Sequence, residues 1–182
     1  MAKKSARKGR KTTHVAVLAE NIYEDLEAWY PIMRLREAGC KVTVVGPKKG
    51  ETYTSKHGYP LKSDMGASTA KASMFDGVVV PGGYAPDKMR RNKQLVKLVK
   101  DIDKAGGLVA SICHGPWVLC EADVLKKKKF TCVPAIRTDC ENAGGKFYNK
   151  EVVVDGNLVT SRTPPDLPAM MKACLKVLGV KS

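Results

Sequence analysis

Leu108-Val109-Ala110-Ser111-Ile112-Cys113-His114-Gly115-Pro116-Trp117 is the stretch on which the reading of the chain turns. Five apolar or small residues read as a buried strand, and the chain from His114 onward reads as a helix. Ser111 lies two residues before Cys113 and Gly115 two residues after it. Small residues at that spacing mark a nucleophile elbow, a sharp turn that tolerates no larger neighbours and pushes the reactive atom outward. Pro116 suits the first turn of a helix, where its missing N–H costs nothing. Cys113 then sits at a helix N-terminus, whose partial positive charge favours a thiolate. In open α/β sheets, ligand sites gather beyond the carboxyl ends of the strands.

Working outward, Val15, Val17 and Leu18 form a first short strand. Leu26, Trp29, Tyr30 and Met33 follow at i, i+3, i+4, i+7 spacing and predict an amphipathic helix with that stripe facing the core. Lys41 to Val45 is a second strand, which makes a right-handed βαβ unit. Residues 48–74 are punctuated by Gly, Pro, Ser and Thr and have room for a small hairpin. Val78-Val79-Val80 is a buried strand ending in Pro81-Gly82-Gly83, and Leu95, Leu98, Val99 and Ile102 mark the helix after it. A strand near Phe130 to Val133 is followed by two β-rich segments around Asp155-Gly156-Asn157, a hairpin signal. Leu167, Met170, Met171, Cys174, Leu175 and Leu178 form the core-facing stripe of a closing helix over residues 166–178. Strands alternating with helices predict a single α/β domain with a doubly wound, mostly parallel sheet sandwiched by helices.

The 182 residues suffice for one domain over 13–182, preceded by a basic tail over 1–12 that is expected to be disordered. That tail holds six of the positive charges, so the net charge of +14 falls to +8 without it. No basic stripe interleaved with aromatics and no nucleic-acid reader motif is present, so no specific nucleic-acid partner is expected. No apolar run approaches the roughly 20 residues of a membrane span and no secretory signal opens the chain, so the expected location is the cytoplasm. The six cysteines follow no disulfide framework and include no C-x-x-C, so most are read as small buried hydrophobes. Neither a metal nor an organic cofactor is called for.

Two further segments reach the same sheet edge as Cys113. The amides of Gly82 and Gly83, with that of His114, are candidates for an oxyanion hole. Glu24, at the start of the first helix, approaches Cys113 if the first strand lies beside the Gly82 strand. Spacing alone does not separate Glu24 from Glu20, and Asp25 and Glu27 are read as solvated. His14 is expected at the surface and His57 in a structural turn. His114, adjacent to the nucleophile, is expected to point away from it and to need a separate acid to orient it.

These residues together resemble the ThiJ/PfpI family, within the class I glutamine amidotransferase-like fold. The resemblance spans residues 13–178. It rests on Glu24-Asp25-Leu26-Glu27, Lys56-His57-Gly58, Pro81-Gly82-Gly83-Tyr84-Ala85-Pro86-Asp87, Ile112-Cys113-His114-Gly115-Pro116, Asn142-Ala143-Gly144, Val152 to Asn157 and Thr160-Ser161-Arg162. It implies a flavodoxin-like sandwich with Cys113 as nucleophile, Glu24 as a protonated carboxyl beside it and His114 as third member. It further implies that Asp87 of a neighbouring subunit orients His114, in a homodimer or a hexamer. The activity implied first is a glutathione-independent glyoxalase or deglycase acting on methylglyoxal-type aldehydes or their adducts. An intracellular cysteine peptidase acting on peptides is the second. A stress protein or chaperone that senses oxidation at Cys113 is the third.

Overall fold

The computed structural model describes residues 12–181. All but the last residue of the basic tail lies outside the described residues.

Short, fully buried runs set the strands. β1 (His14–Leu18) leads into α1 (Asp25–Glu37) and returns as β2 (Lys41–Gly46), parallel to β1 with Val15 opposite Val42. The segment expected to hold a hairpin does so: β3 (Thr52–Thr54) and β4 (Pro60–Lys62) pair antiparallel. β5 (Met65–Gly66) then closes one edge of the main sheet. β6 (Gly77–Val80) precedes α2 (Ala85–Arg90) and α3 (Lys93–Lys104), and β7 (Leu108–Ile112) precedes α4 (Pro116–Glu121). The strand expected near 130–133 is only β8 (Lys129–Phe130), because Thr131 and the residues after it turn away from their short partner β9 (Lys146–Phe147). α5 (Arg137–Asn142) lies between them. β10 (Val152–Asp155) and β11 (Leu158–Ser161) form the hairpin, with Gly156 supplying the positive φ of +64° at its turn. α6 (Leu167–Leu178) ends the fold at Gly179 in the left-handed conformation.

The main sheet runs β10-β11-β7-β6-β1-β2-β5, parallel throughout except for β10. β1 and β6 are neighbours, and the chain leaves them in opposite directions, toward β2 and toward β7. This is the switch point of a doubly wound sheet, where the loops after β1, β6 and β7 splay apart and open a crevice. The condition for the first helix to approach Cys113 is therefore met.

Two expectations about faces are corrected. The stripe read as the core side of α1 is divided: Leu26 and Met33 are 56% and 60% exposed, while Trp29 and Tyr30 are half-buried against the core. The residues of α1 that pack inward are Glu27, Ala28, Pro31, Ile32 and Leu35. An acid and a proline on the buried face hid its period, and the divided stripe imitated one. His14 is buried rather than superficial, because its ring stacks on Phe75 at 4.7 Å and its Nε2 meets Thr43 Oγ1 at 2.8 Å.

The two faces of α1 are distinguished by stability. Ile32→Ala should cost about 2–5 kcal/mol, as for other buried aliphatic truncations. Leu26→Ala should cost no more than about 0.5 kcal/mol. Urea unfolding midpoints measure both, and equal losses would return the Leu26 side to the core.

Candidate active site

The turn after β7 is an elbow with a left-handed residue at its tip. Cys113 has φ of +60°, a conformation that costs a β-carbon-bearing residue on the order of 1–2 kcal/mol. Backbone hydrogen bonds on both sides hold it there, from Cys113 N to Ser161 O (3.2 Å) and from Val133 N to Cys113 O (3.3 Å). The small neighbours foreseen in the sequence are required by space. A Cβ at Gly115 would stand 2.4 Å from Ser111 Oγ and 2.5 Å from the Val80 carbonyl oxygen. Pro116 opens α4 as anticipated, with Gly115 as its N-cap.

The left-handed turn also brings side chains together that adjacent residues normally hold apart. His114 Nδ1 lies 3.3 Å from Cys113 Sγ, contrary to the expectation that it would point away. The imidazole packs against Trp117, centroid to centroid 5.2 Å, and burial lowers its pKa from the ordinary value, so it is neutral at pH 7. Trp117 is fixed in turn by donating Nε1–H to Asp139 Oδ2 at 2.7 Å.

The carboxyl beside the thiol is that of Glu27, not Glu24. Gly82 shows the crowding: a Cβ there would stand 2.5 Å from Glu27 Oε2, 2.7 Å from Cys113 Cβ and 3.0 Å from His114 N. Three elements thus converge on one point. The reason lies in the capping of α1. Glu24 is the N-cap, its carboxyl accepts the Glu27 N–H at 2.9 Å, and Lys56 Nζ approaches its other oxygen at 3.8 Å. A side chain bent back over its own helix start cannot also reach the elbow. Glu27, at the third helical position, is turned inward, fully buried, and accepts the Gly82 N–H at 2.8 Å through Oε2. Its Oε1 is buried with no hydrogen-bond partner among the described residues. Glu20 stays with the amide of Asn21, 2.6 Å away.

Asp25 is not free in solvent either. It receives the Ser55 hydroxyl at 2.6 Å and pairs with His57 Nδ1 at 2.7 Å, which pins the β3–β4 loop to the start of α1. Partial burial would raise its pKa, but these bonds outweigh it and hold Asp25 below the ordinary carboxyl value. The loop containing His57 is thereby structural, as read from the sequence.

Electrostatics overturn the resting thiolate. Burial, together with the adjoining Glu27 charge, pushes the Cys113 thiol up to about 12, although the backbone amides of Gly83 and His114 hydrogen-bond to the sulfur and pull the other way. α4 has only six residues, and its N-terminal field is too small to offset desolvation. Burial, then the neighbouring Glu24 charge, raises Glu27 to about 7. The pair therefore holds a proton on sulfur at neutral pH while the carboxyl is poised to take one.

Of the three amides expected to face an oxyanion, that of Gly82 is committed to Glu27, which leaves Gly83 and His114 aimed at the reacting centre. Asp87 sits in the first turn of α2 with its side chain 53% exposed and pairs with Arg91 at 3.2 Å.

The geometry has counterparts among known proteins. The DJ-1/PfpI family model matches residues 13–177. Deglycase PfpI of Pyrococcus furiosus is 43% identical over 164 residues, covering 90% of this chain and 98% of the relative. Protein/nucleic acid deglycase 2 of Escherichia coli is 40% identical over 167 residues, covering 91% and 97%. Among solved structures, a two-domain protein of Anabaena variabilis with DJ-1/ThiJ/PfpI-like and ferritin-like domains superposes with a TM-score of 0.90 at 45% identity. That match covers 92% of this chain but only 48% of the larger protein. An elbow cysteine over a buried glutamate, on a fold and sequence matched from end to end of the described domain, makes the chain a member of the DJ-1/PfpI family.

Proposed function

We propose that the protein is a deglycase and glyoxalase that uses Cys113 to attack methylglyoxal-type aldehydes and their adducts on amines or thiols. The observation that carries this reading is the Glu27 carboxyl, raised to about 7, lying against a thiol of about 12. A resting thiolate is not needed, because the base that removes the thiol proton is built in.

The reaction follows from the groups present. Cys113 Sγ bonds to the aldehyde carbon as Glu27 takes the thiol proton. The former carbonyl oxygen becomes an oxyanion facing the amides of Gly83 and His114 and is protonated to give a hemithioacetal. Removing the proton from that carbon, passing the hydroxyl proton to the neighbouring carbonyl oxygen and returning a proton to the neighbouring carbon converts the hemithioacetal to a thioester. Glu27 and the neutral His114 flank the sulfur and act as the two proton carriers. Water then cleaves the thioester, releases a hydroxy acid and restores the thiol. In an adduct, breaking the bond to the amine or thiol frees the aldehyde carbon for the same sequence. Glu24 acts through Glu27, by holding its amide and adding negative charge nearby. In this reading Asp87 reaches His114 only from a second subunit, in a homodimer or hexamer, since within its own chain it pairs with Arg91.

The Cys113–His114 contact also suits acyl transfer, which keeps an intracellular cysteine peptidase as the second reading. A peroxide sensor at Cys113 is disfavoured, because a thiol protonated at neutral pH reacts slowly with peroxide. Among the described residues no helix is long and apolar enough to cross a membrane, which accords with a substrate met in solution.

Incubation with methylglyoxal and with a methylglyoxal-modified peptide, read by NMR for lactate, tests the function. Cys113→Ala should fall to the background rate and Glu27→Gln should lose about 10²–10⁴-fold, while Glu24→Gln should lose far less. Lactate release that survives Cys113→Ala removes the proposal, and cleavage of unmodified peptide without lactate replaces it with the peptidase.

The pH profile should rise through a single limb near 7 as the Cys113–Glu27 pair loses its first proton. That limb should persist in His114→Ala at lower amplitude and vanish in Glu27→Gln. A limb that disappears with His114 instead would transfer the base to the imidazole.

Stability reports the same carboxyl independently of turnover. A group whose folded pKa exceeds its unfolded one stabilises the fold fully below the unfolded value, and that contribution is lost as pH rises through the folded value. For Glu27 the window runs from 4.5 to about 7, a difference of about 3 kcal/mol. Relative to wild type, Glu27→Gln should therefore gain stability between pH 4 and pH 8 in urea titrations. Parallel curves would mean that Glu27 titrates normally.

A further inference from the structure

Three cysteines lie together behind α4 and take no part in the chemistry above. Cys120 is in α4, Cys140 in α5, and Cys132 precedes α5 in the chain. Cys120 Sγ and Cys140 Sγ are in hydrogen-bond contact at 3.7 Å, and Cys140 also bonds to Cys132. Cys140 and Cys132 are sealed in the core, whereas Cys120 is partly exposed. Among the described residues no three His, Cys, Asp or Glu side chains are arranged to hold a metal ion.

We propose that Cys120 and Cys140 form a second reactive site, a dithiol that reduces a hydroperoxide and closes into an intramolecular disulfide. The arrangement has the two parts such a site needs: a thiol open to solvent and a second thiol packed against it. Cys120 Sγ attacks the outer peroxide oxygen, the O–O bond breaks, and the leaving oxygen departs as an alcohol or water. Cys120 is then a sulfenic acid. Cys140 Sγ attacks the Cys120 sulfur, the S–O bond breaks, and a second water leaves with the Cys140 proton. Two electrons have passed from the two sulfurs to the peroxide.

The surroundings of Cys120 favour it as the sulfur that attacks first. The contact with the Cys140 sulfur lowers its pKa, burial opposes that, and the Arg90 guanidinium lowers it further against the charges of Asp139 and Glu121. The hydrogen bonds to Cys120 and Cys132, with burial, keep the proton on Cys140. Nucleophile and resolving thiol are thus differentiated, and Cys120 also differs from Cys113, whose proton is tightly held. To bond, the two sulfurs must close from 3.7 Å to about 2.05 Å. They lie on two short helices already joined at Trp117 and Asp139, so little movement of either is required.

The test treats the full chain with one equivalent of hydrogen peroxide or of an alkyl hydroperoxide, followed by rapid alkylation and non-reducing peptide mapping. Trypsin separates Cys132 from Cys140 at Arg137, and chymotrypsin separates Cys113 from Cys120 at Trp117. The expected product is a Cys120–Cys140 cross-link lighter by two hydrogens and reversed by dithiothreitol. It should form on the order of tenfold faster than any oxidation of Cys174, and at an unchanged rate in Cys113→Ala. In Cys140→Ser, Cys120 should be trapped by dimedone as its sulfenic acid. Oxygen found on Cys113 while Cys120 remains alkylatable would overturn the proposal, as would a Cys120 sulfenic acid that persists in wild type without cross-linking. Because wild type alone gives the decisive map, misfolding of a variant does not blunt the result.

Discussion

The left-handed backbone at Cys113 is the constraint from which the rest of the site follows. A β-carbon at φ of +60° costs energy, and the fold meets that cost with a parallel ladder behind the elbow and backbone hydrogen bonds on either side. The same twist aims the sulfur into the crevice, exposes the His114 amide to it, and swings the imidazole back onto its neighbour. An ordinary strand end would deliver one of these and lose the others.

Around that turn the protein shares protons instead of storing a charged nucleophile. Desolvation raises both the thiol and Glu27, so the proton rests on sulfur with a carboxyl beside it. An anion held permanently in the pocket would require compensating cations. Lys56 stands near Glu24 at 3.8 Å but caps the outside of the assembly.

Most of the architecture was legible because period and punctuation agree. Strands such as Val78-Val79-Val80 are uniformly apolar, Gly-Gly and Asp-Gly pairs mark the turns, and the Ser-x-Cys-x-Gly spacing announces the elbow. The failures share a cause. On α1 the inward face carries Glu27 and Pro31, so the apolar period of Leu26, Trp29, Tyr30 and Met33 pointed to a flank on which only Trp29 and Tyr30 touch the core. Glu24 and Glu27 are three residues apart and chemically alike, and only the capping bond reveals that the first is bent back while the second enters the core. A capping-box spacing with an acid at each end was the available signal. His14 and the protonation of Cys113 were hidden because burial is a property of the assembled layers, not of neighbours in the chain.

The lack of a side chain at Gly82 and Gly115 has an evolutionary side. At these two positions the main chain lies directly against the Glu27 carboxyl, the Cys113 β-carbon and the Ser111 hydroxyl, with no volume into which a mutation can add an atom. Room for a changed side chain lies instead at exposed positions nearby, such as Tyr84, which is 71% exposed. The elbow and its variable surroundings are in this way drawn from separate pools of positions, one closed to variation and one open.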